Sequence, residues 1–553
     1  MPAPKLPSAY TFDRVPSLNI PRAAIRRPST YKTTFSSGKV YPIFVDEVLP
    51  GDTFKLNMSS IARLATPLVP IMDNLKLVFS FFFVPNRLVW DRWVNFMGQQ
   101  DYPGEDISNM TIPYVTAPVG GAAVGSIADY FGLPTGVKWN NGDVQALPFR
   151  AYQLVWNEWF RDENLQTPAN IDFSDSSQPL SDFDLLPCNK LHDYFTSCVP
   201  SPQKGPSLTL PLSGDVPVVG TGNALGLSRA AGKTNWLLDD RSSAGAHSLA
   251  MGIDKTTTAA VGANGSYYSH SSTSSTPATV GVTTNPDLSG LVALTSQATG
   301  ATINELREAF ALQKLLERDM RGGTRYTESI RAHFGVASPD ARLQRPELLG
   351  TFSVPIVFHT VAQSGGTEEN GSVKTPQGNL SAFAMATDVH HAFTKSFVEH
   401  GFVLGLCHVR SDLTYQQGIP RMWSRRDRFD IYWPELSHLG EQPVYNKEIY
   451  TQGTSADDDV FGYQERFAEY KYGYSKITGE LRSTYSAPLD YWHLAQKFDA
   501  LPTLSDTFIQ DTPPVSRVVA VDDAPEFVLD IYNDLTCVRP MPLYAVPGLI
   551  DHF

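Results

Sequence analysis

Cysteine is scarce in this chain of 553 residues: there are four, Cys188, Cys198, Cys407 and Cys537, and no two of them form a CxxC pair. That number excludes a disulfide framework for a chain of this size and fits folding in a reducing, cytoplasmic compartment. Long hydrophobic runs are also missing. The longest, around LVFSFFFV, is too short to span a bilayer, and MPAPKLPSAY at the start lacks the apolar stretch of a signal peptide, so no membrane insertion is expected. No GxSxG elbow, no GxxxxGK[ST] phosphate loop and no HExxH helix motif is present, which removes the commonest signatures of serine hydrolases, nucleotide hydrolases and zinc proteases. Charge is sparse and leans acidic, 44 Lys plus Arg against 57 Asp plus Glu, a formal −13. Such a surface does not coat nucleic acid over its whole extent, although a local basic face is compatible with it.

Apolar residues make up 42% of the chain and aromatics 11%, enough for a large core. The length suggests more than one domain, but β-sandwiches with long loops exceed the usual domain size. In TFKLNMS, Phe54, Leu56 and Met58 alternate with Lys55 and Asn57 after a PGD turn, the pattern of a half-buried strand. In LKLVFSFFFV both faces are largely apolar, which predicts a strand covered on both sides. Asn86 is placed to cap a helix with Trp90, Trp93, Val94 and Met97 on one face, ending at Gly98; a second helix is expected in LPFRAYQLVWNEWFRDEN. Thr302 and Glu305 form a capping box opening a third, with Leu306, Ala309, Phe310 and Leu316 as its apolar stripe and RGG as its end. Strand character returns in GTFSVPIVFHTV, GFVLGLCHV and RVVAVDDAPEFVLDIYNDL, the last with a turn at DDAP. Short strands between long loops, with few helices, indicate an antiparallel sandwich or jelly roll rather than alternating βαβ units.

Four regions follow from composition. Residues 1–39 form a proline-rich arm of charge +6, with Lys5, Arg14, Arg22, Arg26, Arg27, Lys32 and Lys39 against Asp13, so the remainder of the chain carries −19. The arm should be extended and weakly ordered until something holds it. Residues 40–213 begin the β core with helical loop insertions, and 301–553 complete it with further loops and a C-terminal strap. Between them, 214–300 is rich in Ser, Thr and Gly, with Asp287 its only formal charge after Thr256; it reads as a surface insertion unable to fold on its own apolar content.

Candidate sites follow from residue chemistry. Arg14, Arg22, Arg26, Arg27, Lys32 and Lys39 of the arm are candidates for nucleic-acid phosphate contact, with an arm held by another chain as the alternative. In RMWSRRDRFDIYWP, Arg421, Arg425, Arg426 and Arg428 interleave with Trp423, Phe429, Tyr432 and Trp433, joining phosphate-neutralising charge to stacking faces. Arg425 and Arg426 are the nucleic-acid candidates there. The alternative is that Asp427 and Asp430 pair with the arginines and the aromatics belong to the core. Tyr267, Tyr268 and His270, rings among small polar residues, are candidates for contact with sugars or protein outside the chain, a plain spacer being the alternative. Asp388, His390, His391, Glu399 and His400 have metal-ligand chemistry without the spacing of a known motif, and Asp457 to Asp459 read as a calcium turn or a solvated one. No cofactor and no catalytic residue is assigned, although a divalent cation bridging subunits stays open.

Several long strings carry a family resemblance: KTTFSSGKVYPIFVDEVLPGDTF, TPLVPIMDNLKLVFSFFFVPNRLVWDRWVNFMG, LQKLLERDMRGGTRYTESIRAHFGVASPDARLQRPELLG, FGYQERFAEYKY and the closing DHF. The chain resembles, from about Lys32 to Phe553, the major capsid proteins of the Microviridae, small single-stranded DNA bacteriophages, in the gokushovirus branch. The resemblance implies a mainly β fold, a single eight-stranded antiparallel jelly roll of viral capsid type with large loop insertions containing a few helices. It also implies sixty copies in a T=1 icosahedral shell around circular single-stranded DNA, with 214–300 forming protrusions at the threefold axes. The implied partners are other copies of the chain, the genome, a small basic DNA-binding protein, a pilot protein, a scaffolding protein and the bacterial host surface. The implied location is the virion. A jelly-roll carbohydrate-binding or carbohydrate-active protein is the other reading.

Overall fold

The structure is a computed structural model. It describes residues 21–544 except 104, 106–108, 207, 337–344, 370 and 522, and within 209–302 only five short strands. The chain divides into two compact units, Pro206–Leu315 and the remainder.

The larger unit is an antiparallel β-sandwich. Its strands are β1 (Ala23–Phe35), β2 (Tyr41–Val48), β3 (Thr53–Leu64), β4 (Leu75–Pro85), β5 (Glu347–Pro355), β6 (Val357–Ala362), β7 (Leu380–Ser396), β8 (Gly401–Ser411) and, after two short strands outside the sandwich, β11 (Phe527–Arg539). One sheet has the order β1-β11-β3-β7-β6 and the other β5-β4-β8-β2. Two large sheets of five and four strands thus stand where eight strands in all were expected. The ninth arises because GTFSVPIVFHTV is two strands: Pro355 cannot donate to a ladder, and at Ile356 the chain leaves β4 and joins the edge of the other sheet beside β7.

Between the sheets lies an apolar core with Phe54, Leu56 and Met58 of β3, Leu77, Phe79 and Phe81 of β4, Val403 and Cys407 of β8 and Leu529, Ile531 and Leu535 of β11. β3 and β11 alternate buried and exposed residues as a sheet with one open face must. β4 and β8 are buried almost throughout, because the outer face of their sheet is covered as well. Phe82, Val84, Phe402, Leu404 and Leu406 face a second core shared with α1 (Leu147–Trp159) and with Trp90 and Trp93. α1 starts with proline in its first turn, where the missing N–H costs nothing. Its fully buried Arg150 donates to Gln178 Oε1 (2.8 Å) and to the carbonyls of Ser174 (3.0 Å) and Ser176 (3.1 Å), stitching the covering loop to the helix.

Four expectations change. The helix after Asn86 is only a 3₁₀ turn, Asn86–Leu88, and one α turn, Trp93–Phe96, because side-chain anchors such as Trp90 Nε1 donating to Asp175 (2.6 Å) hold the chain where local periodicity would continue it. The stretch RVVAV before DDAP is a short turn at Val515–Arg517 and loop, not a strand; only the second half pairs, as β11. Residues 23–35 are not a loose arm but an edge strand paired with β11 over its whole length. In α2 (Ile303–Arg321), ended before Gly323 at φ +93°, the expected stripe is not buried within the chain: Phe310 is 66% exposed. A helix not foreseen, α3 (Tyr326–Phe334), follows and ends on left-handed Gly335.

All four cysteines are free and buried. In the smaller unit the described backbone forms short antiparallel pairings, among them Val218–Gly220 with Leu291–Ala293.

Candidate assembly and nucleic-acid surfaces

The arm's cations sit on or beside β1. Arg26 Nε lies 2.6 Å from Asp534 Oδ1 and Lys32 Nζ 2.7 Å from Asp530 Oδ2, both acids on β11; Arg27 reaches Asp46 of β2 at 2.7 Å. Arg22 donates to the Gly51 carbonyl. Lys39 is exposed at the end of the connection to β2. Three of the six candidate cations are therefore neutralised within the chain, by acids that sequence distance had hidden. Exposed pairs of this kind contribute little to stability, because water and salt screen them. Arg14 lies outside the described residues, as do Tyr267, Tyr268 and His270.

The arginine–aromatic segment is built on two buried glutamates. Glu448, at the start of the short helix Asn446–Ile449, accepts from Tyr194 Oη (2.9 Å) and from Arg421 (3.3 Å). Burial raises its pKa and the Arg421 guanidinium pulls it back. Glu469 accepts from Arg425 (3.2 Å) and from Gln442 (2.7 Å), and the Arg425 guanidinium stacks over Tyr470, 4.2 Å from the ring centroid. Gln442 belongs to β9 (Glu441–Tyr445), which pairs with β10 (Val460–Glu465) over a third apolar cluster containing Tyr194, Phe195, Phe461 and Phe508.

On this anchor the aromatics point outward. Trp423 is 69% exposed, and Met422, Phe429, Ile431, Tyr432 and Trp433 are each about half exposed. The expectation that they are core is thus overturned, and so is the pairing of the arginines with Asp427 and Asp430. Asp430 instead accepts the backbone N–H groups of Arg426 (2.8 Å) and Asp427 (3.0 Å), which lower its pKa. Arg426 and Arg428 keep exposed heads. Residues 421–439 with the two buried glutamates hold four arginines and five acids, so the patch has no excess positive charge for a polyanion. Exposed Trp, Tyr, Met and Arg around a rigid base is the composition of a protein-contact surface.

Of the remaining candidates Asp388 and His390 approach one another, Oδ2 3.8 Å from Nδ1, and the others do not join them. His390 stacks on Phe352 (4.3 Å between centroids), His391 hydrogen-bonds Asn57 (2.8 Å), Glu399 pairs with Arg87 (2.6 Å), and His400 lies against Trp93. Asp457 accepts from the backbone of Gln452 and Gly453, and Asp458 pairs with Lys447. Among the described residues no group of three or more His, Cys, Asp or Glu is placed to hold a metal, and no helix there is long and apolar enough to cross a membrane.

Residues 13–549 match the family described as Capsid protein (F protein). The chain belongs to this family. Among its relatives are the capsid proteins VP1 of Chlamydia phage 1, 43% identical with 99% of both chains covered, and of Bdellovibrio phage phiMH2K, 42% identical with 98% of both covered. The capsid protein VP1 of Spiroplasma virus 4 is 36% identical over 98% of this chain and 97% of its own. All three come from Microviridae, so the resemblance read from the sequence holds and the chain is a structural capsid protein of that phage group. A virion location and self-assembly follow from membership of the family.

Proposed function

We propose that sixty copies of this capsid protein form a T=1 shell around circular single-stranded DNA, each copy a jelly roll without catalytic turnover. The observation that carries this is the match, over nearly the whole length, to phage capsid proteins. Strand pairing supports the jelly roll: β1 pairs with β11, β2 with β8, β3 with β7 and β4 with β5, all antiparallel. That is the pairing of one long hairpin folded over on itself, which distributes its strands alternately between two sheets. An edge strand, β6, is added to the eight.

Subunit contacts fall to the loops, with 421–439 as the chief described patch, because the sandwich buries most of its apolar residues internally. The gokushovirus branch, the threefold protrusion at 214–300 and host contact through Tyr267, Tyr268 and His270 are part of the same reading, as are the scaffolding, pilot and small basic DNA-binding partners. Electron microscopy of the purified recombinant chain is the test. Closed shells of uniform size are expected; a small soluble oligomer that binds sugars instead supports the carbohydrate-binding alternative. For the protrusion, Tyr267 to Gly281 is replaced by a short Gly/Ser link, and assembly and adsorption to host cells are measured separately. Normal particles that adsorb poorly are expected, and unchanged adsorption removes the host-contact role.

A further inference from the structure

The outer face of the β1-β11-β3-β7-β6 sheet is the one large sheet face that nothing in the described larger unit covers. The other sheet is covered by α1 and its loops, whereas here Ile61, Val389, Val528 and Tyr532 stand open to solvent. Its charged residues are Arg26, Lys32, Lys55 and Arg63 against Asp530 and Asp534, a net +2 on a chain of −13. Both acids are engaged: Asp530 by Lys32, Asp534 by Arg26, with Lys55 close enough to lower the Asp534 pKa further. The Arg63 side chain makes no hydrogen bond or ion pair among the described residues, its backbone being held between β7 and β11.

Register places these groups. Along the central strand β3 the outward row reads Lys55, Asn57, Ser59, Ile61, Arg63, with a cation near each end, roughly 27 Å apart at the usual strand rise. Tyr532 lies beside Ser59 at the middle of the row. Beyond Arg63, Phe383 of β7 stacks on His359 of β6, centroids 4.9 Å apart and planes 21° from parallel, with half of the Phe383 ring exposed. Thr30, Thr387 and Thr394 supply hydroxyls on neighbouring strands.

We infer that this face binds single-stranded nucleic acid, with Lys55 and Arg63 meeting phosphates and Tyr532 and the His359–Phe383 pair offering stacking surfaces to bases. The inference rests on the shell reading and names the surface of that shell that meets the genome. Charge complementarity selects the occupant: a positive, hydroxyl-lined face with separated aromatic rings suits a polyanion carrying flat bases, whereas the charge-balanced patch at 421–439 suits protein. Binding is expected to be salt-sensitive and indifferent to base sequence.

The test uses the unassembled full chain and a fluorescent twenty-nucleotide oligothymidylate titrated at several salt concentrations. Lys55→Gln with Arg63→Gln should reduce the slope of log affinity against log salt by about 1.4, two phosphate contacts to a single strand. Tyr532→Ala should weaken binding about fivefold or more with the slope unchanged, as loss of stacking does. Arg426→Gln with Arg428→Gln should change neither. A wild-type chain that fails to bind the oligonucleotide, or a Lys55/Arg63 double variant with an unaltered slope, overturns the inference. Should that double variant misfold by circular dichroism, acetylation of Lys55 decides: protection in DNA-filled wild-type particles and labelling in emptied ones support the site, and equal labelling overturns it. If the wild type binds but never forms shells, the shell reading fails and the binding face stands.

Discussion

Arg539, the last residue of β11, closes onto Asp52, in the turn between β2 and β3, with Nε 3.1 Å from Oδ2 of a carboxylate that has no solvent exposure. The same guanidinium donates to the Glu47 carbonyl at 2.6 Å, and Asp52 Oδ2 accepts the Leu49 N–H at 2.9 Å. The pair ties the end of the final strand to a turn almost five hundred residues earlier. Arg539→Met should destabilise the larger unit by about 3 kcal/mol, since it strands a buried carboxylate. Adding Asp52→Asn should recover most of that loss. Urea midpoints of the unassembled chain measure both, and equal midpoints for wild type and Arg539→Met would show that the pair contributes nothing.

Asp511 is buried, and the desolvation lifts its carboxyl from 3.8 to about 7 although Arg410 and Lys190 act in the opposite direction. The native state therefore holds a proton that the unfolded chain releases near pH 4. Stability from this group is complete below about pH 4, falls as pH rises to about 7, and is level above that. The span corresponds to about 4 kcal/mol at most. Asp511→Asn should flatten this part of the profile. Melting temperatures between pH 4 and 8 provide the comparison, and parallel profiles for the two proteins would refute it.

The outward aromatics of 421–433 should matter to the assembly and not to the subunit. Trp423→Ser with Phe429→Ser is expected to change the unfolding free energy from urea titration by no more than about 0.5 kcal/mol per site, as for exposed positions generally. Shell yield in sedimentation should fall severalfold. Undiminished shells would remove this patch from the subunit interface.

Gly405 lies in the middle of β8, where an added Cβ would stand 2.8 Å from both Phe44 Cβ and the Phe81 ring. Gly405→Ala should cost about 1–3 kcal/mol by overpacking. Phe81→Leu in the same chain should relieve part of it, because leucine lacks the ring edge that the added Cβ meets. A double-mutant cycle on unfolding midpoints reads the coupling, and simple additivity would show that the two residues do not compete for space.

What the sequence by itself determined is what short-range pattern can encode. The alternation in TFKLNMS, the two apolar faces of LKLVFSFFFV, the proline-led helix at Leu147–Trp159 and the glycine stop after Arg321 each depend on neighbours a few residues apart, and each formed as read. The long family strings carried the capsid assignment by similarity. Pairing across hundreds of residues was beyond that range. Nothing local shows that Asp530 and Asp534 lie beside Lys32 and Arg26, so the basic arm read as free charge. In the same way Glu448 and Glu469, distant in sequence, take Arg421 and Arg425 inward and leave the intervening aromatics outside. Tertiary structure decided these points because ion pairs and sheet register depend on which segments meet, and side-chain periodicity reports only that a face is apolar, not what will cover it.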